Sequence, residues 1–317
     1  MSDKSNNYGR AHEYACIIEL YLAICRIRPC TILKDSSFTA AENAWNKLDS
    51  DTQSSLKKSS VIEAETILEL EKKITEDGND LLTILIQPDD AGKTGDVRDI
   101  LIVRRDIRWE IGLSLKHNHE AVKHSRLSGT IDFGKLWYEL PCHDEYWNAV
   151  KPIFEDLEQK RKNKIKWSSI ENKWEHYYTP ILNAFIKEVK TAYAENTRIS
   201  SKMARYLLGR FDFYKVISLD RNKLILIQAY NFDGTLNKPS KTESPQIDVP
   251  ISILPERIIS IELSPKNPQT TVELFMDNGW TFTLRIHSAD AIVESSLKFD
   301  VSLISKPATV IEIKKTW

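Results

Sequence analysis

Apolar positions recur along the first part of the chain with the period of a helix. In AHEYACIIELYLAICR, residues 11–26, the side chains of Tyr14, Ile17, Ile18, Tyr21, Leu22 and Cys25 fall on one wide stripe, which predicts a helix with a buried face. A second helix is predicted around Ala40–Leu48. A third runs over about Val61–Glu76, with Ser59 and Ser60 as candidate caps. The texture then changes. LLTILIQ (Leu81–Gln87), VRDILIV (Val97–Val103) and WEIGLSLK (Trp109–Lys116) are short apolar runs divided by polar stretches such as PDDAGKTGD and RRDIR. They predict three consecutive antiparallel strands suited to a sheet covered on both faces. Helical pattern resumes at His119–Leu127, around Pro152–Gln159, and strongly in Tyr178–Tyr193.

From about Phe211 the chain reads almost entirely as strand. Its clearest signal is TTVELFMDNGWTFTLRI, where Asn278-Gly279 forms a turn between two alternating runs and Trp280, Phe282, Leu284 and Ile286 share one face. The expected fold class is α/β in the α+β sense, a mixed sheet flanked by helices. The pattern divides the chain into residues 1–210 and a β-rich C-terminal region, residues 211–317.

Composition narrows the class without deciding it. With 317 residues, 41% hydrophobic and 28% charged, the chain has ample apolar mass for a core. The N-terminus MSDKSNN is polar and no apolar run approaches a membrane span, so a cytoplasmic protein with no membrane partner is expected. Cys16, Cys25, Cys30 and Cys142 lack the pattern of a disulfide framework. Cys25-x4-Cys30 has no matching ligand pair nearby, so a zinc site is not expected. The net charge of −1 does not argue against a polyanionic partner, because a local basic surface and an acidic metal site cancel in the total.

The candidate chemistry lies between about Asp96 and Arg126. Alternation along Trp109–Lys116 places Glu110, Gly112, Ser114 and Lys116 on one face. A lysine ending a buried strand beside such small residues is unusual for a structural strand. Asp99 begins the preceding strand, so its carboxylate and the Lys116 ammonium can point into one cleft. Metal-assisted phosphodiester hydrolysis requires that pair: a carboxylate for Mg²⁺, and an ammonium for the attacking water and the growing phosphate charge.

These residues resemble the PD-(D/E)xK nuclease superfamily, in which an Asp at a strand start is followed by (D/E)-x-Lys on the next strand. More narrowly, TGDVRDILIV, WEIGLSLKHNHEAVKHSRLS and the early GRAHEYA are similar to the HaeIII family of type II restriction endonucleases, over roughly residues 8–190. The resemblance implies a PD-(D/E)xK core and Mg²⁺-dependent cleavage of double-stranded DNA. It also implies a short palindrome, GGCC, cut in its middle to leave blunt ends. A palindrome is read economically by a homodimer. The sequence departs from the superfamily at Ser114, where an acid is expected. Glu110 stands six residues from Lys116, about 20 Å along a strand, and cannot replace it. Relatives imply a second carboxylate from the following helix, Glu120, or from the first helix, Glu13, with Glu13 slightly favoured. For the first metal ligand Asp99 is preferred to Asp96, because the apolar run follows it directly.

The block after the lysine is basic. His117, Asn118, His119, Lys123, His124 and Arg126, with Ser114, are the candidate DNA contacts, and a helix from His119 would aim its N-terminus at phosphate. KRKNKIK, residues 160–166, is a second basic cluster that could track the backbone, although such runs are more often only solvated. Two other readings compete. One is a structure-selective repair or junction nuclease of the same superfamily. The other is a catalytically inactive DNA-binding module, for which Ser114 is the best argument.

Overall fold

The architecture is that of a computed structural model describing residues 2–76, 78–88, 95–118 and 122–317. The chain forms two compact units, neither of them contiguous in sequence. Unit 1 comprises Met1–Glu120, Arg210–Ser252 and Ala308–Trp317; unit 2 comprises Ala121–Gly209 and Ile253–Pro307. The change of texture near residue 210 thus marks the chain's return to unit 1.

Unit 1 opens with α1 (Ser2–Ile24), β1 (Cys30–Ile32), α2 (Ser36–Trp45), α3 (Ser50–Leu70) and the short α4 (Lys72–Thr75). Three strands follow, β2 (Leu82–Ile86), β3 (Ile100–Arg104) and β4 (Trp109–His117), each overlapping one of the predicted apolar runs and the last two ending one residue beyond it. They are successive antiparallel neighbours, as their alternation requires. The seven-stranded mixed sheet is completed by β6 (Phe213–Leu219), β7 (Leu224–Tyr230) and β12 (Glu312–Thr316), in the order β1-β2-β3-β4-β6-β7-β12. The β4–β6 pair is parallel, and the residues of unit 2 up to Gly209 lie on the connection between those strands. Ile17, Leu20 and Ile24 of α1 share one core with Ile100, Ile102, Leu113 and Val216 of the sheet. This face of α1 packs on the sheet, where its burial is worth roughly 2 kcal/mol per large side chain. The wide stripe expected from the sequence is corrected: of its residues Ile17 is buried, Tyr14, Ile18 and Tyr21 are partly buried, and Leu22 and Cys25 are exposed.

Unit 2 carries β5 (Lys123–Ser128), α5 (Phe133–Tyr138), α6 (Asp144–Lys162), α7 (Thr179–Glu195) and α8 (Ile199–Leu208). Its sheet is antiparallel, in the order β5-β11-β10-β9-β8, with β8 (Ile258–Leu263), β9 (Thr271–Met276), β10 (Thr281–His287) and β11 (Ser296–Ser305). Phe133, Phe185 and Phe299 meet with ring centroids 5.0 and 5.2 Å apart and tie helices to sheet. The β9–β10 hairpin turns where expected: Asn278 (φ 57°) and Gly279 (φ 84°) both adopt the left-handed backbone that such a turn needs. Trp280, Phe282, Leu284 and Ile286 are all buried.

Two further sequence expectations are corrected. The segment expected to be a helix over His119–Leu127 is β5 from Lys123 on, while residues 119–121 lie outside the described residues. The helical reading rested on the i+4 spacing of basic residues. The actual period is two: Ser125 and Leu127 are buried, Arg126 between them is not, and each pairs with β11. Ser59 and Ser60 are buried inside α3 and do not cap it; the helix begins at Ser50, capped by Asp49, whose carboxylate accepts from Thr52 N–H. No helix among the described residues is long and apolar enough to cross a membrane.

One buried acid makes the stability of unit 1 depend on pH. Glu71 Oε1 accepts from Tyr214 Oη and from the Asn237 N–H, each at 2.7 Å, and burial pushes its carboxyl up to about 7. An acid whose folded pKa is raised stabilises the fold below its unfolded value, near 4.5, and loses that contribution as pH rises through about 7. Glu71→Gln keeps the acceptor oxygen and removes the titration. Chemical unfolding at pH 5 and pH 8 should show the wild type losing about 2–3 kcal/mol more than the variant over this interval. Equal losses would show that Glu71 does not titrate there.

Candidate active site

The site forms where β3 and β4 part. Asp99 stands just before β3, and its N–H donates to Leu113 O at 2.7 Å. The next free amide on β4, Leu115 N–H, finds no strand carbonyl and donates to Asp99 Oδ2 at 2.6 Å. Ser114 Oγ and Lys116 Nζ approach the same oxygen at 3.3 and 3.4 Å. The carboxylate and the ammonium therefore meet, with side chains 27% and 19% exposed, so solvent and ligand can reach both. All three contacts fall on Oδ2. No donor among the described residues reaches Oδ1, which leaves it available to a cation.

Asp96 is differently engaged. It takes a bidentate pair from Arg98, Nε to Oδ1 and Nη2 to Oδ2, both at 2.8 Å, and Gln87 Nε2 donates to Oδ2 at 2.9 Å. Arg98 Nη1 reaches Glu110 at 2.9 Å and its guanidinium lies 4.2 Å from the Phe211 ring centroid. Arg98 runs over Gly112, where a Cβ would come within 2.0 Å of its Cδ. That contact explains the small residue on the polar face of β4: any side chain there would displace the arginine. Glu110 is spent on this clamp. The Arg98 contact lowers the Asp96 carboxyl pKa against the opposing effect of burial.

The remaining expected residues divide. Glu13 lies on the α1 stripe of Ile17, Leu20 and Ile24 and is half-buried. Its neighbour His12 is fully buried, with Nε2 on both oxygens of Glu63 at 2.9 and 3.0 Å. His12 meets the His117 ring edge-on at 6.0 Å, which brings this part of α1 to the C-terminal end of β4. His117 Nε2 lies 2.8 Å from Asp220, and burial pulls its imidazole below the usual histidine range despite that carboxylate. Asn118 Nδ2 donates to the same Asp220 at 2.9 Å. Glu120 and His119 lie outside the described residues. Lys123 and His124 stand in β5 opposite Val301 and Asp300. In unit 2, Arg126 donates to Glu294 and Ser296 at 3.1 and 2.8 Å. In the basic run, Lys160, Arg161 and Lys162 pair with Asp156 and Glu158 of their own helix.

Sequence reasoning missed several residues. Glu63, Asp220 and the buried Lys215 stand far along the chain from the residues they join. Lys215, 2% exposed, is the register partner of Ser114 on β6, and Gln228 and Glu312 continue the row across β7 and β12. Spacing gave no signal for them, since a parallel β4–β6 pair cannot be read across ninety intervening residues. Among the described residues no group of three or more His, Cys, Asp or Glu side chains could hold a metal ion. A cation at Asp99 would need oxygen ligands from substrate or water, or a carboxylate not in that cluster.

The two aspartates should separate in stability. Asp96→Ala leaves Arg98 buried without its partner and should cost about 3 kcal/mol in urea unfolding. Asp99→Ala leaves the Leu115 N–H without its acceptor at a partly exposed site and should cost about 1 kcal/mol, the low end for an unpaired amide. Equal costs would overturn the division of the two into clamp and site.

The HaeIII restriction endonuclease family model matches residues 9–307. The type II restriction enzyme HaeIII of Haemophilus aegyptius is 49% identical over 318 residues, covering 100% of this chain and 99% of that protein. No solved structure matches.

Proposed function

The chain belongs to the HaeIII restriction endonuclease family and is a type II site-specific deoxyribonuclease, and we propose that Asp99 and Lys116 carry its chemistry. The observation supporting this assignment is the meeting of the two side chains at the mouth of β3 and β4, with Asp99 Oδ1 left open. The reading is that of an Mg²⁺-dependent enzyme acting on double-stranded DNA as a homodimer, at a GGCC-type palindrome with a blunt cut.

Asp99 and one further carboxylate would hold the ion, a hard cation suited to such oxygen donors; when bound it supplies Lewis acidity and neutralises phosphate charge. Lys116 places a positive charge beside the carboxylate. There it can orient the attacking water and stabilise the negative charge that grows on the phosphate in the transition state. Leu115 N–H and Ser114 Oγ fix the Asp99 carboxylate before substrate arrives, so it need not reorganise during the reaction. Ser114 does the orienting here that a second acid would otherwise do only at the cost of repulsion with Asp99.

Glu13 is the proposed second carboxylate, with Glu120 as the alternative. Glu13 is supported by its neighbour His12, which brings α1 to the end of β4 where Lys116 lies. Asn118, His119, Lys123, His124 and Arg126 remain the candidates for DNA contact, whereas Ser114, 2% exposed and turned to Asp99, is better placed to orient that carboxylate. His117, whose side chain is 9% exposed, is better placed to support the strand than to meet a base.

Lys116→Ala should lower cleavage of plasmid DNA by more than tenfold while DNA binding and melting temperature stay close to wild type, because the lost charge acts mainly in the transition state. Discrete fragments from the wild type confirm site-specific cutting. A variant retaining more than about a tenth of the rate would remove Lys116 from the mechanism.

Glu13→Gln should raise the Mg²⁺ concentration needed for half-maximal cleavage by about tenfold or more, since a lone aspartate holds this ion weakly. If Glu120→Gln shifts that midpoint and Glu13→Gln does not, the second carboxylate is Glu120.

A further inference from the structure

Lys116 is followed by two residues whose side chains both end on one carboxylate. His117 Nε2 and Asn118 Nδ2 lie 2.8 and 2.9 Å from Asp220 Oδ2. Asp220 N–H donates back to Asn118 Oδ1 at 3.0 Å, and Asn118 N–H donates to Ser218 O at 2.8 Å. Asn118 has φ 58°, so the chain leaves strand geometry at the residue this carboxylate holds. On its other side the His117 ring stacks on Tyr8, 5.8 Å between centroids and 13° from parallel, and meets His12 edge-on. His12 is itself fixed by the fully buried Glu63. The end of β4 is thus held between two carboxylates, Asp220 on the turn after β6 and Glu63 on α3.

We infer that Asp220 is a positioning residue for DNA cleavage, clamping the end of β4 so that the neighbouring Lys116 ammonium is held at Asp99. The inference rests on the reading of Lys116 as catalytic. Adjacent strand residues point to opposite faces, so pinning the His117 ring fixes the backbone from which Lys116 projects. Strand ends otherwise fray, and an ångström of misplacement at a reacting group costs about a hundredfold in rate. Asp220 is well placed to act on rate more than on stability. Its side chain is 39% exposed, on a turn outside the core, where such pairs contribute little to folding.

The test compares Asp220→Ala, Asp220→Asn and Lys116→Ala, reading single-turnover cleavage at saturating enzyme, DNA affinity without divalent metal, and melting temperature. Asp220→Ala should slow cleavage about 10- to 100-fold with affinity within about threefold of wild type. Asp220→Asn keeps an acceptor oxygen and should recover most of the rate. Undiminished cleavage by Asp220→Ala overturns the clamp. So does a loss confined to DNA affinity, which would make His117 and Asn118 DNA contacts. If Asp220→Ala does not fold, Asn118→Gly decides, since it removes one of the two donors and keeps the left-handed backbone; it should slow cleavage in the same way, and full activity overturns the clamp. An active Lys116→Ala would overturn the catalytic reading, whereas a dead Lys116→Ala beside a fully active Asp220→Ala would overturn the clamp alone.

Discussion

A backbone amide that has lost its strand partner organises the end of unit 1 where Asp99 and Lys116 meet. Where β3 and β4 diverge, the Leu115 N–H cannot remain unpaired in a half-buried position without a cost of about 1–3 kcal/mol. The Asp99 carboxylate satisfies it at 2.6 Å. That one bond fixes the rotation of the carboxylate, directs the same oxygen to Ser114 and Lys116, and leaves the other open. A carboxylate can be spent this way because it has two oxygens: one belongs to the fold, and the second is free for a ligand.

The surrounding charges are placed so that this arrangement survives. Arg98, the residue before Asp99, is held on two sides by Asp96 and Glu110 and crosses β4 over Gly112. At the far end of the same strand, Arg104 is held by Asp80 and Glu76. Both ends of β3 are thus anchored by arginines whose guanidinium groups are nearly buried and paired, a pairing that their burial demands. Glu110 is drawn into the first anchor. At the end of β4, Asp220 and Glu63 do for the strand exit what Arg98 does for the β3 start.

Much of the fold was legible from periodicity. The α1 helix, the three antiparallel strands and the Asn278-Gly279 hairpin all rest on local rules that need no distant partner. The β5 segment was misread because its basic residues fall at helical spacing; its buried side chains alternate with period two only because β11, some 170 residues on, pairs with it. The discontinuous units were equally hidden. A change of texture near residue 210 was visible, but nothing local says that the chain then adds strands to a sheet begun before residue 90.

By itself the sequence determined that an aspartate would stand at the start of one strand and a lysine near the end of the next. Those are consequences of strand geometry, which is fixed by the chain within a hairpin. It also carried the family resemblance, since a motif is a local object. The tertiary structure alone decided that Asp96 serves Arg98 while Asp99 meets Lys116. It likewise decided that His117 and Asn118 close on Asp220, and that His12 and Glu63 stand behind them. These choices depend on which buried charge finds which partner across long stretches of chain. Electrostatic pairing is settled by distance in space, on which separation along the sequence places almost no constraint.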